Sequence, residues 1–136
     1  MSFYAVFQVD GGEPEGHEVI YCRYSFNQAV DDVGRPASTV RHTRMNVNIV
    51  GTDKDKALLA WMLDPYLQKS GSVTFYRNDQ ESVLKKLSFT NAYCTLLRDK
   101  FDATGSSKDT SLITQLVISY EKLDIGGVQY DARWEA

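Results

Sequence analysis

Val40-Arg41-His42-Thr43-Arg44-Met45-Asn46-Val47-Asn48-Ile49-Val50 sorts into two phases: Thr43, Met45, Val47 and Ile49 in one, His42, Arg44, Asn46 and Asn48 in the other. Side chains along a β-strand point alternately to opposite faces, so this run predicts a strand with one apolar and one wet face. The same period appears upstream. Ile20, Cys22, Tyr24 and Phe26 share one phase, Val19, Tyr21, Arg23, Ser25 and Asn27 the other, which predicts a long strand. Phe3 to Val9 predicts the strand before it, and Asp10-Gly11-Gly12 supplies the turn chemistry for a reversal between the two.

Downstream, Thr52 reads as the N-cap of a helix over residues 53–64, with Asp53 and Asp55 in its first turn and a Leu58, Trp61, Met62 stripe to bury. Pro65 should end it near Asp64. Val73 to Arg77 predicts another strand, and Val83 to Phe101 a bent strand or an interrupted pair. Ser111 to Leu123 follows, and Gly126-Gly127 turns the chain into Val128-Gln129-Tyr130. In Leu112 to Tyr120 one phase holds Leu112, Leu116, Ile118 and Tyr120 while the other still holds Ile113 and Val117. Two apolar faces on one strand imply cover on both sides, from the helix or from a neighbouring subunit. The expected fold is mainly β: an antiparallel β-barrel of about seven or eight strands, with one α-helix packed on its side. Closure removes the exposed edges that so many short strands would otherwise leave.

A chain of 136 residues fits a single domain, 1–136, large enough to fold without metal or disulfide staples. Its net charge of −3 gives no overall drive toward nucleic acid or an anionic membrane. Met1 to Phe7 lacks the basic and apolar regions of a signal peptide, and no apolar run reaches membrane-spanning length, so a cytoplasmic protein without membrane insertion is expected. Cys22 and Cys94 lie in separate strands outside any CxxC spacing. They read as reduced core residues, a disulfide between them being the alternative.

Catalytic chemistry finds little to work with. His17 and His42 stand in different strands and in no GxSxG, HExxH or similar arrangement, and the glycine pairs lack the context of phosphate loops. Asp53-Lys54-Asp55 opens like a calcium loop but has Leu58 at the sixth position, where that loop demands Gly. Arg35, Arg41, Arg44 and Lys85-Lys86 are interspersed with carboxylates and have no aromatic interleaving, which argues against nucleic acid. The expectation is no enzyme, no cofactor and no metal. The feature left is the stretch between Gln28 and Thr39, where the period dissolves around Gly34 and Pro36. A dozen residues without a pattern is long for a loop in a compact domain, and such loops tend to carry contacts.

Asp32-Val33-Gly34-Arg35-Pro36-Ala37-Ser38, Phe89-Thr90-Asn91-Ala92-Tyr93-Cys94 and Phe101-Asp102-Ala103-Thr104-Gly105 occur in an order and spacing that, with Trp61-Met62 in the helix and Trp134 near the end, resembles a known family. It is the haemolysin-coregulated tube proteins of type VI secretion (Hcp, TssD), in the branch typical of Bacteroidota. The chain departs from the family pattern at His42-Thr43, where small residues are usual, and at Ser106-Ser107-Lys108-Asp109, where an Asn-Pro-like turn is usual. The resemblance implies a structural subunit that forms hexameric rings stacked into a tube inside a contractile sheath. Such a tube is capped by a spike protein, leaves the cell without a signal peptide, and carries effector proteins in its lumen. On that reading Asp31, Asp32, Val33, Gly34, Arg35, Pro36 and Ser38 form a loop contacting a neighbouring subunit or ring, and Asn46 and Asn48 belong to a candidate lumen face. The rival reading is a small monomeric β-barrel that binds an apolar ligand.

Overall fold

The computed structural model describes residues 4–37, 41–42, 44–77, 82–102, 104 and 112–132. Its elements are β1 (Tyr4–Val9), β2 (His17–Arg23), β3 (Phe26–Asn27), β4 (Arg41–His42), β5 (Met45–Val50), α1 (Lys56–Leu63), β6 (Lys69–Tyr76), β7 (Val83–Phe101), β8 (Leu112–Ser119), β9 (Lys122–Ile125) and β10 (Val128–Asp131). β7, β6, β1, β2, β5 and β8 pair antiparallel in that order, and β8 returns to β7. The ring is therefore a closed six-stranded barrel, with β9 and β10 outside it and β9 lying along β7.

The closure depends on β7, a strand of 19 residues. Its first half pairs with β6 and β9, and its second half with β8. The two halves meet at Asn91, the one non-glycine with a positive φ among the described residues, at 53°. Asparagine tolerates this left-handed conformation better than most residues because its short polar side chain can satisfy local groups. Here the Asn91 backbone N–H donates to Ser70 Oγ at 3.2 Å and its Nδ2 to Glu121 Oε1 at 2.8 Å. The Glu121 N–H in turn donates to the Thr90 carbonyl at 3.2 Å, so the break between β8 and β9 is tied to the bend in β7. The bent-strand expectation thus resolves into one continuous strand that serves two sheets.

Two local expectations are corrected. The long second strand is split, because β2 ends at Arg23 and Phe26–Asn27 pair instead with Arg41–His42 in a separate ribbon. A bulge between Val19 and Tyr21 also resets the phase, leaving Ile20 exposed while Cys22 pairs with buried Val47. The helix starts at Lys56, not after Thr52, and has no acidic residue in its first turn. Thr52 Oγ1 accepts from the Lys54 N–H at 3.1 Å, a local turn that uses the hydroxyl expected to cap the helix. The far end is as expected: the helix closes at Leu63, and Asp64 is extended at ψ 106°, as a residue before proline prefers.

The barrel interior is filled with side chains. Phe7, Met45, Val47, Ile49, Leu116 and Ile118 are all buried, and Leu58 and Trp61 of α1 join the same cluster against β7. Trp61 Nε1 donates to the Ala92 carbonyl at 3.0 Å, and its ring stacks on Phe89 at 6.4 Å and 7°. The outward phase of β8, with Ile113, Gln115 and Val117, is only half-buried. Cys22 on β2 and Cys94 on β7 are both free and lie three strands apart whichever way the ring is followed, beyond the reach of a disulfide. Burial pushes both thiols up to about 11, which suppresses the reactive thiolate.

His17 opens β2 opposite Phe7 and is 5% exposed, a barrel-wall residue whose Nε2 finds no hydrogen-bond partner among the described residues. Burial lowers its pKa, opposed by the carboxylates of Glu13 and Asp55. A depressed histidine takes up its proton more readily in the unfolded chain, so its contribution is fully present above the unfolded value of about 6.5 and is lost as pH falls below it. Thermal melts from neutral pH to pH about 5 should show a fall in Tm that His17→Leu flattens. An equal acid-side fall in both proteins would assign the effect to other groups.

Candidate functional site

The stretch from Phe26 to His42 forms an arm. β3 and β4 pair at its base, and the Ala37 N–H donates to the Ala29 carbonyl at 2.7 Å. Val30 then bridges to Pro36. At the tip the Asp31 N–H donates to the Arg35 carbonyl at 2.8 Å and the Gly34 N–H to the Asp31 carbonyl at 3.0 Å. This is a short hairpin loop with a left-handed bulge residue, and Gly34 fills that place at φ 88°. The loop expected between Gln28 and Thr39 is therefore an ordered ribbon over its described part.

The Asp31 carboxylate organises the tip. Its Oδ1 accepts from the N–H groups of Arg35 at 2.9 Å and Val33 at 3.0 Å, and its Oδ2 accepts from Arg35 Nε at 3.0 Å. These bonds, the Arg35 N–H foremost, hold its carboxyl below the usual aspartate range. The ion pair is exposed, with the Arg35 side chain 77% accessible, so it shapes the loop more than it stabilises the fold. Val30 and Val33 are 63% and 73% exposed. The arm thus holds a fixed shape through its own bonds while presenting valines to solvent.

Asp31, Asp32, Val33, Gly34, Arg35 and Pro36 are brought together on this arm; Ser38 lies outside the described residues. Asn46 and Asn48 belong elsewhere, on the outward phase of β5, half-buried. Register places Arg23 and Val117 beside Asn46, and Tyr21 and Gln115 beside Asn48. Arg98 of β7 follows Gln115 in the same row, and its Nη1 donates to Gln115 Oε1 at 3.4 Å. Arg23, Gln115 and Arg98 were not singled out from sequence, because a shared face is set by pairing across four strands.

A third feature is an apolar cleft of about 800 Å³ lined by Tyr4, Val19, Ile20, Cys22, Tyr24 and Phe75, among others. It opens where β1 and β2 diverge, since they pair only at Val6 with Glu18 and Phe7 with His17. Its lining mixes Cys22 and Phe75, which pack on the core, with the exposed Tyr4 and Ile20. Among the described residues no three His, Cys, Asp or Glu side chains gather as a metal would require, and no helix is long and apolar enough to cross a membrane.

A closed barrel with a packed interior and a stiff exposed arm is built for contact with other chains. The sequence matches the model of the family described as Hemolysin coregulated protein Hcp (TssD) over residues 1–135. The chain belongs to that family, and is a tube subunit of type VI secretion. Its fold is similar to that of Hcp1 from Flavobacterium johnsoniae, with a TM-score of 0.83 and 29% identity over 94% of this chain and 98% of that one. Hcp1 from Salmonella typhimurium gives 0.74 at 12% identity, covering 96% and 95% of the two chains. A type VI secretion system effector from Yersinia pestis gives 0.67 at 14%, covering 93% and 98%; at these lower identities the likeness concerns the fold alone. No curated protein matches the sequence.

Proposed function

We propose that the subunits meet head to tail in hexameric rings, which stack into a hollow tube inside a contractile sheath, behind a spike protein. A heterologous contact that closes gives a ring, and an axial contact that does not close gives a filament, so one chain needs two distinct contact surfaces. The arm is the observation that carries this reading. A ribbon stiffened by its own hydrogen bonds, with two valines in solvent, suits insertion against a neighbouring subunit or ring. Asp31, Asp32, Val33, Gly34, Arg35 and Pro36 form that contact, with Ser38 following, and Asn46 and Asn48 face the lumen, where effector proteins travel. The tube is made in the cytoplasm and leaves through the machine.

Arg35→Ala removes the guanidinium that joins the tip, and Asp31→Ala removes the carboxylate that organises it. Both should leave the barrel folded, with a melting temperature within a few degrees of the native chain, since exposed ion pairs contribute little. Both should reduce tube length and sedimentable material, Asp31→Ala more strongly. Native-like tube formation by both variants would remove the arm from the assembly contact. The rival reading, a monomeric barrel that binds an apolar ligand, would have to use the cleft between β1 and β2, because the rest of the interior is filled with side chains.

A further inference from the structure

We infer that the outward face of the sheet formed by β2, β5, β8 and the second half of β7 is a docking surface for an acidic polypeptide. The chain as a whole carries a net charge of −3, yet the exposed charged side chains of this face are mostly cations. Arg23, Arg44, Arg98 and Lys100 are all exposed, and all fall in the phase opposite the buried Met45, Val47, Leu116 and Ile118. Asn46, Asn48 and Gln115 lie between them.

Carboxylates are confined to the margins. Asp99 is in the inward phase, where its Oδ1 accepts from the buried Thr114 hydroxyl at 2.6 Å. Glu18 lies beyond the β2 bulge, where that strand pairs with β1, and Asp102 follows the end of β7, near enough to Lys100 to feel its charge. Among the described residues no carboxylate forms an ion pair with Arg23, Arg44 or Arg98. Arg23, Arg44 and Arg98 therefore keep their charge available, and Arg98 is held by an amide oxygen that does not neutralise it.

The chemistry of this face fits spaced carboxylates. Guanidinium groups bind carboxylates through paired N–H donors, and the intervening amides add donors without adding charge. Arg23 and Arg98 lie three strands apart round the ring and two residues out of row, so separate Asp or Glu side chains of one polypeptide are needed to meet them. A nucleic acid strand fits less well, because the exposed Tyr21 beside Asn48 does not make the run of stacking platforms that successive bases use. The inference rests on the tube reading only for location: if this face lines the lumen, the cargo is a protein with an acidic surface.

The test measures fluorescence anisotropy of labelled poly-L-glutamate, and of a single-stranded oligonucleotide of equal length, against the full chain at low and at physiological ionic strength. Poly-L-glutamate should bind with an affinity that falls as salt rises. Arg23→Glu combined with Arg98→Glu should weaken it by about tenfold or more, while Lys54→Glu with Lys122→Glu, the same change of charge elsewhere, should stay within about twofold. If the double reversal unfolds the chain, Arg23→Gln with Arg98→Gln serves instead, with a loss of about threefold expected. Equal losses in the face and control variants, no binding at all, or an oligonucleotide bound as tightly as the peptide would each overturn the inference. Light scattering on the same samples separates the two readings. Rings without this binding pattern defeat the docking surface alone, and the binding pattern without rings defeats the tube assembly alone.

Discussion

Trp61→Ala is expected to lower the unfolding free energy by about 4 kcal/mol and the melting temperature by roughly 15 °C. Trp61 has no exposed surface and is the largest fully buried side chain among the described residues. It stacks on Phe89, which stacks on Phe7 at 6.0 Å and 15°, so the indole joins the helix to the middle of the barrel. Truncation removes that packing, leaves a cavity that the closed sheet cannot collapse to fill, and strips the Ala92 carbonyl of its donor. Trp61→Phe separates the terms. It keeps an aromatic ring against Phe89 and loses the N–H, so about 1–2 kcal/mol should disappear. Urea unfolding followed by circular dichroism measures both. A Trp61→Ala loss under about 1 kcal/mol would mean that the helix is not part of the cooperative core.

Gly71→Ala is the second large effect, about 3 kcal/mol of destabilisation, for the opposite reason. A Cβ at Gly71 would collide with the Gln8 carbonyl oxygen and lie 2.9 Å from Val9 Cα and 2.8 Å from Phe89 Cζ. The first two are backbone atoms of the paired strand β1 and cannot rotate aside, while Phe89 is locked between Phe7 and Trp61. The methyl therefore has to push β6 away from β1, at the point where the register of β6 against β7 already shifts. The same denaturation series reads this change, and a variant as stable as the native chain would show that β1 and β6 are less closely paired there.

The limits of alternation are visible strand by strand. Its phase is right throughout β5, with Met45, Val47 and Ile49 buried and Asn46 and Asn48 half-buried, because the extra residue of the β2–β5 bulge belongs to β2 and β5 itself runs uninterrupted. In β2 it fails after Val19, since a bulge is a property of two strands and leaves no mark on the period of one. Thr52 has the right chemistry for a cap, but its hydroxyl is used one turn too early. The seven or eight strands expected are the eight of the main sheet, six closing the ring and β9 and β10 lying outside it, because β7 is long enough to serve two sheets.

The candidate site was legible in part for related reasons. Gly34 and Pro36 mark the arm as a break in the strand pattern, but its ribbon pairing sets Val30 against Pro36, a residue depleted in strands. The self-made ion pair of Asp31 and Arg35 follows from the turn and appears only once the turn is known. The cations of the sheet face are scattered over Arg23, Arg44, Arg98 and Lys100, and only barrel closure gathers them onto one surface.

The central claim is assembly, and light scattering on a sizing column, with negative-stain images of the same peak, tests it most directly. The account predicts annular particles with the mass of six subunits, and stacks of them as concentration rises. A monodisperse monomer at every concentration, including those at which the arm should find a neighbour, would contradict it.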